Sequence, residues 1–372
     1  MKYARFLGLL ATTALAACGN DAKEAATPAA TPKVLNIYNW SDYIDPDTVA
    51  DFGQAHQIKV RYDVYDSNEL LEGKVLTGQS GYDLVGPSDN FVPRQIKAGA
   101  YQKLNKAWLP NYDLINPMLL EKLAAVDPGN EYVVPNYWGI NTLAINVDKV
   151  KAALNGPLPE NPWDLVFASE YTERLQRCGI SYLDSPSEMF PLALNYIGVN
   201  PNSPDLADYD RAAAAMMAVR KNVKRFVSGG YIDDMASGNV CVAIGFGGDL
   251  NIAKRRAIDS GNGINIEVLV PKTGFGVWID TFAIPRDAKN VAEAHAFINT
   301  MLDPAVAAKN ADFVTYAPSS LPARALMQPE YAQDDSIFPS DEALARGFVI
   351  LPMAPETAKY SVRLWQRIKS GK

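Results

Sequence analysis

Acidic and aromatic side chains occur together at several points where a strand pattern in this sequence ends. A buried organic ammonium needs a carboxylate for each charged nitrogen, because an unpaired buried cation is very unfavourable. Its methylene groups favour aromatic walls, which add a cation–π attraction of about 0.5–2 kcal/mol. An aromatic box with acids at both ends would therefore suit a diamine. The residues that could build it lie in Trp40-Ser41-Asp42-Tyr43, Phe246-Gly247-Gly248-Asp249, Trp278-Ile279-Asp280, less clearly in Asp184 to Glu188, and at Tyr316.

Each of these residues also has a purely structural interpretation. Asp249 can cap a helix, and Asp42 can belong to a turn. Trp40, Trp278 and Tyr316 can fill the core. The pattern alone leaves the function open.

The elements that must position these residues alternate between strand and helix patterns. Asp45 is the predicted cap of the first helix, and Asp66 with Glu69 has capping-box spacing for the second. Ile58, Val60, Tyr62 and Val64 are predicted to share one face of the second strand. The predicted order is strand 34–40, helix 46–56, strand 58–65, a helix ending at 78, strand 82–85 and helix 90–98.

A second block of the same kind extends from about 138 to 272, with a strand at 239–245 and a helix at 249–257. A strand at 277–285 follows, and then a helix for which Asn290 and Glu293 have capping-box spacing. The last predicted helix spans about 356–369, with Tyr360, Leu364 and Ile368 on one stripe.

This alternation predicts an α/β fold of two lobes, each a mixed sheet flanked by helices. Ligands of such sheets bind beyond the carboxyl ends of the strands, and clefts between lobes are favoured pockets. We expect lobe 1 to contain residues 34–137 and 277–330, and lobe 2 to contain residues 138–276 and 331–372.

The N-terminus has the layout of a bacterial secretory signal. Lys2 and Arg5 precede a short apolar run, and Leu15-Ala16-Ala17-Cys18 resembles a lipobox. We therefore expect a signal peptide at 1–17, a lipidated Cys18 and a flexible tether at 18–33, which anchor the protein in the cell envelope. The alternative is an ordinary cleaved signal followed by a chance cysteine.

Composition excludes several classes of function. The formal net charge of −7 disfavours nucleic-acid binding. His56 and His295 are the only histidines and lie far apart, which disfavours a histidine-based zinc or nucleophile site, and no cofactor is predicted. Cys178 and Cys241 would form a disulfide in an oxidising compartment or remain two buried thiols.

Several segments resemble the periplasmic spermidine/putrescine-binding proteins of polyamine ABC transporters, particularly the putrescine-type branch. The resemblance covers essentially the whole mature chain. It is carried by residues 35–44 (LNIYNWSDYI), 66–69 (DSNE), 82–85 (YDLV), 135–139 (PNYWG), 146–150 (NVDKV), 241–245 (CVAIG) and 368–372 (IKSGK).

The resemblance implies a type II periplasmic binding protein that is not an enzyme and needs no cofactor. Such a protein acts as a monomer, closes by a hinge motion and delivers a polyamine to a membrane permease. It implies that Asp249 and Asp280 hold one ammonium, while Ser41, Asp42 and Glu188 surround the other. The implied aromatic walls are Trp40, Tyr43, Phe246, Trp278 and Tyr316, Ser88 is an implied lining residue, and Cys178 with Cys241 is an implied disulfide.

Two positions bear on specificity. Phe246 stands where these proteins usually have Trp, whereas Trp278 stands where putrescine-preferring members usually have Phe and spermidine-preferring members have Trp. The two positions point to different specificities, and on balance we expect a slight preference for spermidine over putrescine. Asp89 and Asn90 also differ from the putrescine type, which leaves agmatine or cadaverine as the alternative. A glycosidase with paired carboxylates, a binding protein for another solute and a sensory protein are the competing functions.

Overall fold

The computed structural model describes residues 33–41, 43–65, 67–227 and 229–372. The predicted signal peptide, the lipidated Cys18, all but the last residue of the tether, Asp42 and Asp66 lie outside the described residues. The folded chain begins with a strand at Lys33, next to the predicted start at Val34.

Among the described residues, eleven strands form one mixed sheet. They are β1 Lys33–Trp40, β2 Ile58–Tyr65, β3 Leu84–Val85, β4 Val133–Asn146, β5 Ile180–Leu183, β6 Val223–Val227, β7 Val242–Phe246, β8 Ile266–Leu269, β9 Gly276–Ala283, β10 Ala317–Pro318 and β11 Phe348–Val349.

Helices flank this sheet, which confirms the predicted α/β class. They are α1 Pro46–His56, α2 Asn68–Val75, α3 Val92–Lys97, α4 Pro117–Leu123, α5 Val147–Leu154, α6 Asp164–Phe167, α7 Ser169–Leu175, α8 Pro186–Tyr196, α9 Leu206–Val219, α10 Tyr231–Ala236, α11 Gly247–Ser260, α12 Val291–Met301, α13 Pro304–Val314, α14 Pro329–Ala332, α15 Asp341–Leu344 and α16 Pro355–Ser370. Short 3-10 helices occur at Lys106–Trp108, Tyr112–Leu114, Arg220–Asn222 and Leu321–Leu326.

The order of strands across the sheet is β2-β1-β3-β9-β4-β7-β5-β6. Strands on each side pair in parallel, whereas β9 and β4 pair antiparallel in the middle. Every residue of β4 is buried, and its register shifts between Pro135 and Tyr137, because a proline cannot donate a hydrogen bond to the ladder. The β9–β4 pair therefore connects the strands of the N-terminal block, β1 to β3, with strands β5 to β7. Trp278 and Asp280 both lie on β9.

Two hydrophobic clusters form most of the core. The smaller one packs β1 and β9 against α12, with Leu35, Phe282 and Phe297 almost inaccessible to solvent. The larger one surrounds β4, β7 and α8. A third, aromatic cluster contains Tyr43, Tyr137, Val314 and Tyr316, with Trp40 and Trp278 packed against it. Several predicted site residues therefore lie together between the main elements.

Local signals predicted some helix ends correctly and others incorrectly. Asp45 caps α1 as predicted, accepting a hydrogen bond from the Asp47 N–H at 3.0 Å. The cap of α2 is Ser67, and this helix ends at Val75 rather than at Gly78. The predicted apolar face of β2 is wrong at its end, where Val64 is 51% exposed and Tyr65 is buried.

The capping box predicted for α12 is also wrong. The side-chain amide of Asn290 donates to Asp83 at 3.0 Å and does not cap the helix, while Glu293 pairs with Lys33 at 3.3 Å. The backbone N–H of Asn290, which Glu293 would accept in a capping box, also donates to Asp83, at 2.9 Å. Spacing within one helix cannot reveal this distant acceptor.

Cys178 and Cys241 form a disulfide, with 5.4 Å between their Cα atoms and a sequence separation of 63. The predicted pair is confirmed. A bridge that closes a loop of this length is expected to stabilise the fold by about 2–4 kcal/mol. In the described part of the chain, no helix is long and apolar enough to cross a membrane.

Candidate ligand-binding site

A cavity of about 470 Å³ lies where the ends of several strands and helices meet. It is bordered by the end of β1, the loop after β3, the starts of α8 and α11, the middle of β9 and the segment after α13. All the predicted ligand-binding residues that the structure describes line it, namely Trp40, Ser41, Tyr43, Ser88, Glu188, Phe246, Asp249, Trp278, Asp280 and Tyr316. Asp42 lies outside the described residues.

Asp280 is the more deeply buried of the two central carboxylates, with 8% of its surface exposed. Ser88 and Tyr43 each donate a hydroxyl hydrogen bond to it, both at 2.5 Å. Asn68 holds Ser88 in place, because its amide donates to Ser88 Oγ at 3.0 Å and its carbonyl accepts from the Ser88 N–H at 3.1 Å. Burial raises the pKa of Asp280 to about 6, although both hydroxyl donors lower it.

Asp249 lies in the first turn of α11, directly after β7. Tyr231 and Tyr316 donate hydroxyl hydrogen bonds to its two oxygens at 2.5 and 2.6 Å. Burial raises the pKa of Asp249, against these hydrogen bonds and the nearby charge of Arg256. The site thus holds a second carboxylate that is oriented by two hydroxyl groups.

Glu188 is a third acid of the cavity and lies in the first turn of α8. Its Oε2 accepts a hydrogen bond from the Asn141 amide at 2.8 Å. Burial raises the pKa of Glu188 to about 7, and the charge of Asp280 also raises it. A cation that entered the cavity would favour the ionised form of this group.

Aromatic rings pack edge to face around these acids. The ring centroids of Trp278 and Tyr316 are 5.1 Å apart, and those of Phe246 and Trp278 are 6.2 Å apart. Gly139 permits this arrangement, because a Cβ atom there would lie 2.4 Å from the Trp278 ring. Gly248 similarly leaves room for Tyr316, whose ring would be 2.1 Å from an added Cβ atom.

The cavity also contains residues that sequence reasoning did not place in a site. Ile252 and Arg256 follow Asp249 by three and seven positions on α11, so helical spacing could have indicated them. Asn68 and Tyr231 carried no such signal, because they reach Ser88 and Asp249 only through tertiary contacts. Asp89 and Asn90, which the sequence analysis named for specificity, also line the cavity. The other additional lining residues are Asn68, Ile232, Ile252, Arg256, Val314 and Ile350.

The charges around the cavity are mainly negative. Its lining cation, Arg256, already pairs with Asp233 at 2.6 Å. Among the described residues, no cluster of His, Cys, Asp and Glu could hold a metal ion. Buried carboxylates between aromatic walls suit a small organic cation. The fold and the cavity therefore define the class of protein, a solute-binding protein whose site is suited to such a cation.

Comparison with known proteins identifies the family. The family model for bacterial extracellular solute-binding proteins matches residues 47–339, and the chain belongs to this family. It is 44% identical over 344 residues to the putrescine-binding periplasmic protein SpuD of Pseudomonas aeruginosa, covering 92% of this chain and 94% of that protein. It is 43% identical over 352 residues to the putrescine-binding periplasmic protein PotF of Escherichia coli, covering 94% and 95%.

A solved structure agrees with this assignment. The spermidine/putrescine ABC transporter substrate-binding protein PotD of Streptococcus pneumoniae matches with a TM-score of 0.80 and 28% identity, over 91% of this chain and 99% of that chain. The predicted resemblance to polyamine-binding proteins and the predicted two-lobed type II fold are confirmed. The protein is a solute-binding protein and not an enzyme.

Proposed function

We propose that this protein binds a polyamine in the cell envelope and delivers it to the permease of an ABC importer. The observation that carries the proposal is the pair of carboxylates, Asp249 and Asp280, each held by two hydroxyl donors in one cavity with aromatic walls. Both acids are oriented before a ligand arrives, so little reorganisation opposes binding. The names of the relatives support a polyamine as the ligand.

Within this proposal, Asp249 and Asp280 hold one ammonium group, and Ser41, Asp42 and Glu188 surround the other. Trp40, Tyr43, Phe246, Trp278 and Tyr316 form the walls, and Ser88 completes the lining. The lobes, with the boundaries predicted above, close over the ligand by a hinge motion.

The finer proposal is a slight preference for spermidine over putrescine. Trp278 offers a wider aromatic surface than Phe to a longer methylene chain, and Glu188 adds a carboxylate to the central pair. Putrescine is the alternative that the names of the two relatives favour. Agmatine and cadaverine belong to the same test, because Asp89 and Asn90 alter the wall beside Ser88.

A ligand panel tests the proposal. Calorimetry and thermal melting of the purified protein should compare putrescine, spermidine, spermine, agmatine, cadaverine and basic amino acids. A ligand at a hundredfold excess over its Kd should stabilise the folded state by about 2.7 kcal/mol. If no polyamine binds or raises the melting temperature, the proposal is wrong; tighter binding of putrescine than of spermidine contradicts only the finer preference.

We further propose that Cys18 carries a lipid anchor and that the anchored protein acts as a monomer. A Cys18→Ser variant should leave the membrane fraction for the soluble fraction of the cell envelope, while the unchanged protein should remain with membranes. Retention of the variant on the membrane would contradict the anchor.

A further inference from the structure

The loop after β3 places a second acid beside the Ser88–Asp280 contact. Asp89 lines the cavity and is only 3% exposed. Its backbone N–H donates to the carbonyl oxygen of Ile279 at 2.9 Å, one residue before Asp280. This bond fixes the loop against β9, so Asp89 is part of a firm cavity wall.

One oxygen of the Asp89 side chain has no donor within the described chain. Its Oδ1 accepts from the Asn90 N–H at 2.8 Å, whereas its buried Oδ2 has no hydrogen-bond partner there. The side-chain oxygen of Asn90 is also buried and unpartnered. A buried acceptor without a donor is unfavourable, and more so when it is charged. Two adjacent acceptors in this wall of the cavity therefore lack a donor among the described residues.

The structural roles usual for a buried acid do not account for Asp89. No ion pair of Asp89 occurs among the described residues, and the cavity cation Arg256 pairs with Asp233. The N-cap of α3 is Phe91, without a side-chain capping bond. Burial raises the pKa of Asp89 well above its usual value, and the charges of Asp280 and Glu188 raise it further. Asp280 and Glu188, whose charges act on Asp89, both carry its own sign.

We propose that Asp89 is a ligand-binding residue whose Oδ2 accepts a hydrogen bond from a third charged nitrogen of a triamine. The inference rests on the proposed function, in which Asp249 and Asp280 hold one ammonium group and the residues around Glu188 hold the second. A diamine has no further charge for Asp89, whereas a triamine does. Asp89 would therefore determine selectivity for triamines over diamines.

The test measures the affinities of Asp89→Asn and the unchanged protein for spermidine and putrescine by calorimetry. Loss of a buried charge partner should weaken spermidine binding roughly 30-fold or more. The affinity for putrescine should change by less than about threefold, which is much less than the loss of affinity for spermidine. Asp113→Asn, which removes an exposed charge outside the cavity, is the matched control and should change neither affinity.

Unchanged spermidine affinity in Asp89→Asn, or an equal loss for both ligands, overturns the inference. If the unchanged protein binds neither ligand, the proposed function itself fails. If spermidine binds and Asp280→Asn weakens it but Asp89→Asn does not, only the role of Asp89 fails.

A structure of the unchanged protein with spermidine gives an answer that does not depend on the folding of a variant. A ligand nitrogen within hydrogen-bond distance of Asp89 Oδ2 supports the inference. A bound spermidine whose nitrogens all lie beyond that distance overturns it.

Discussion

The two regions that supply the central carboxylates reach the same chemistry from different backbones. Asp280 lies within β9, and its donors Ser88 and Tyr43 come from loops beside the sheet. Asp249 opens α11, and its donors Tyr231 and Tyr316 come from α10 and the segment after α13. The strand-borne acid is buried, whereas the helix-borne acid is partly exposed. Two hydroxyl donors therefore orient a carboxylate on either backbone, and burial decides how strongly its charge acts.

The largest expected effect is the loss of the strand-borne charge. Asp280→Asn should weaken polyamine binding by about 2–5 kcal/mol, because it leaves a buried ammonium group short of a negative charge. Calorimetry with spermidine and putrescine measures the change. Asp113→Asn again serves as the control, and an affinity within twofold of the unchanged protein would contradict the role of Asp280.

The helix-borne charge should matter less. Asp249→Asn should weaken binding by about 1–3 kcal/mol, because Asp249 is less deeply buried than Asp280 and its charge is more strongly screened. The same calorimetric series provides the comparison. A greater loss for Asp249→Asn than for Asp280→Asn would reverse the order that burial predicts.

The pH dependence should separate stability from binding. The pKa values of Asp280 and Glu188 are raised to about 6 and about 7 in the folded protein without ligand. Their stabilising contribution is present at low pH and is lost as the pH rises through those values. Binding of a cation has the opposite sign, because it requires the ionised carboxylates, so affinity should fall as the pH falls from 8 to 5.5.

Thermal melts with and without spermidine at several pH values measure both trends. Glu188→Gln removes the carboxyl group with the higher of these two pKa values. The affinity should then change little with pH near pH 7, while the decrease in affinity near pH 6, which comes from Asp280, should remain. Identical profiles for Glu188→Gln and the unchanged protein would show that this carboxyl does not titrate on binding.

The smallest expected effect concerns the aromatic wall between the two carboxylates. Trp278→Phe should reduce the preference for spermidine over putrescine by about 1 kcal/mol, because it removes aromatic surface but keeps a ring. Phe246→Trp makes the opposite exchange, from Phe to Trp, at the neighbouring wall position. Competition between spermidine and putrescine measures the ratio of their affinities. An unchanged ratio in both variants would show that these two rings do not determine specificity.

Local sequence patterns predicted strands β1, β2, β3, β7 and β9 and helices α1, α2, α3, α11, α12 and α16, because alternation, proline and capping residues act over a few positions. They failed where a distant group changed the local preference. Asn290 has capping-box spacing, yet it donates to Asp83 across more than 200 positions. Tyr231 carried no signal as a site residue, because its hydroxyl reaches Asp249 only after α10 packs against α11.

Sequence by itself determined the residue types of the cavity, the α/β class and, through resemblance, the family and the cysteine pair. These follow from side-chain chemistry and short-range periodicity, which the order of residues contains directly. Only the tertiary structure decided which acids are buried, which hydroxyl groups bond to them and how their pKa values shift. Desolvation and hydrogen-bond geometry depend on atoms far apart in the chain, and the unpartnered oxygen of Asp89 becomes visible only when those atoms are in place.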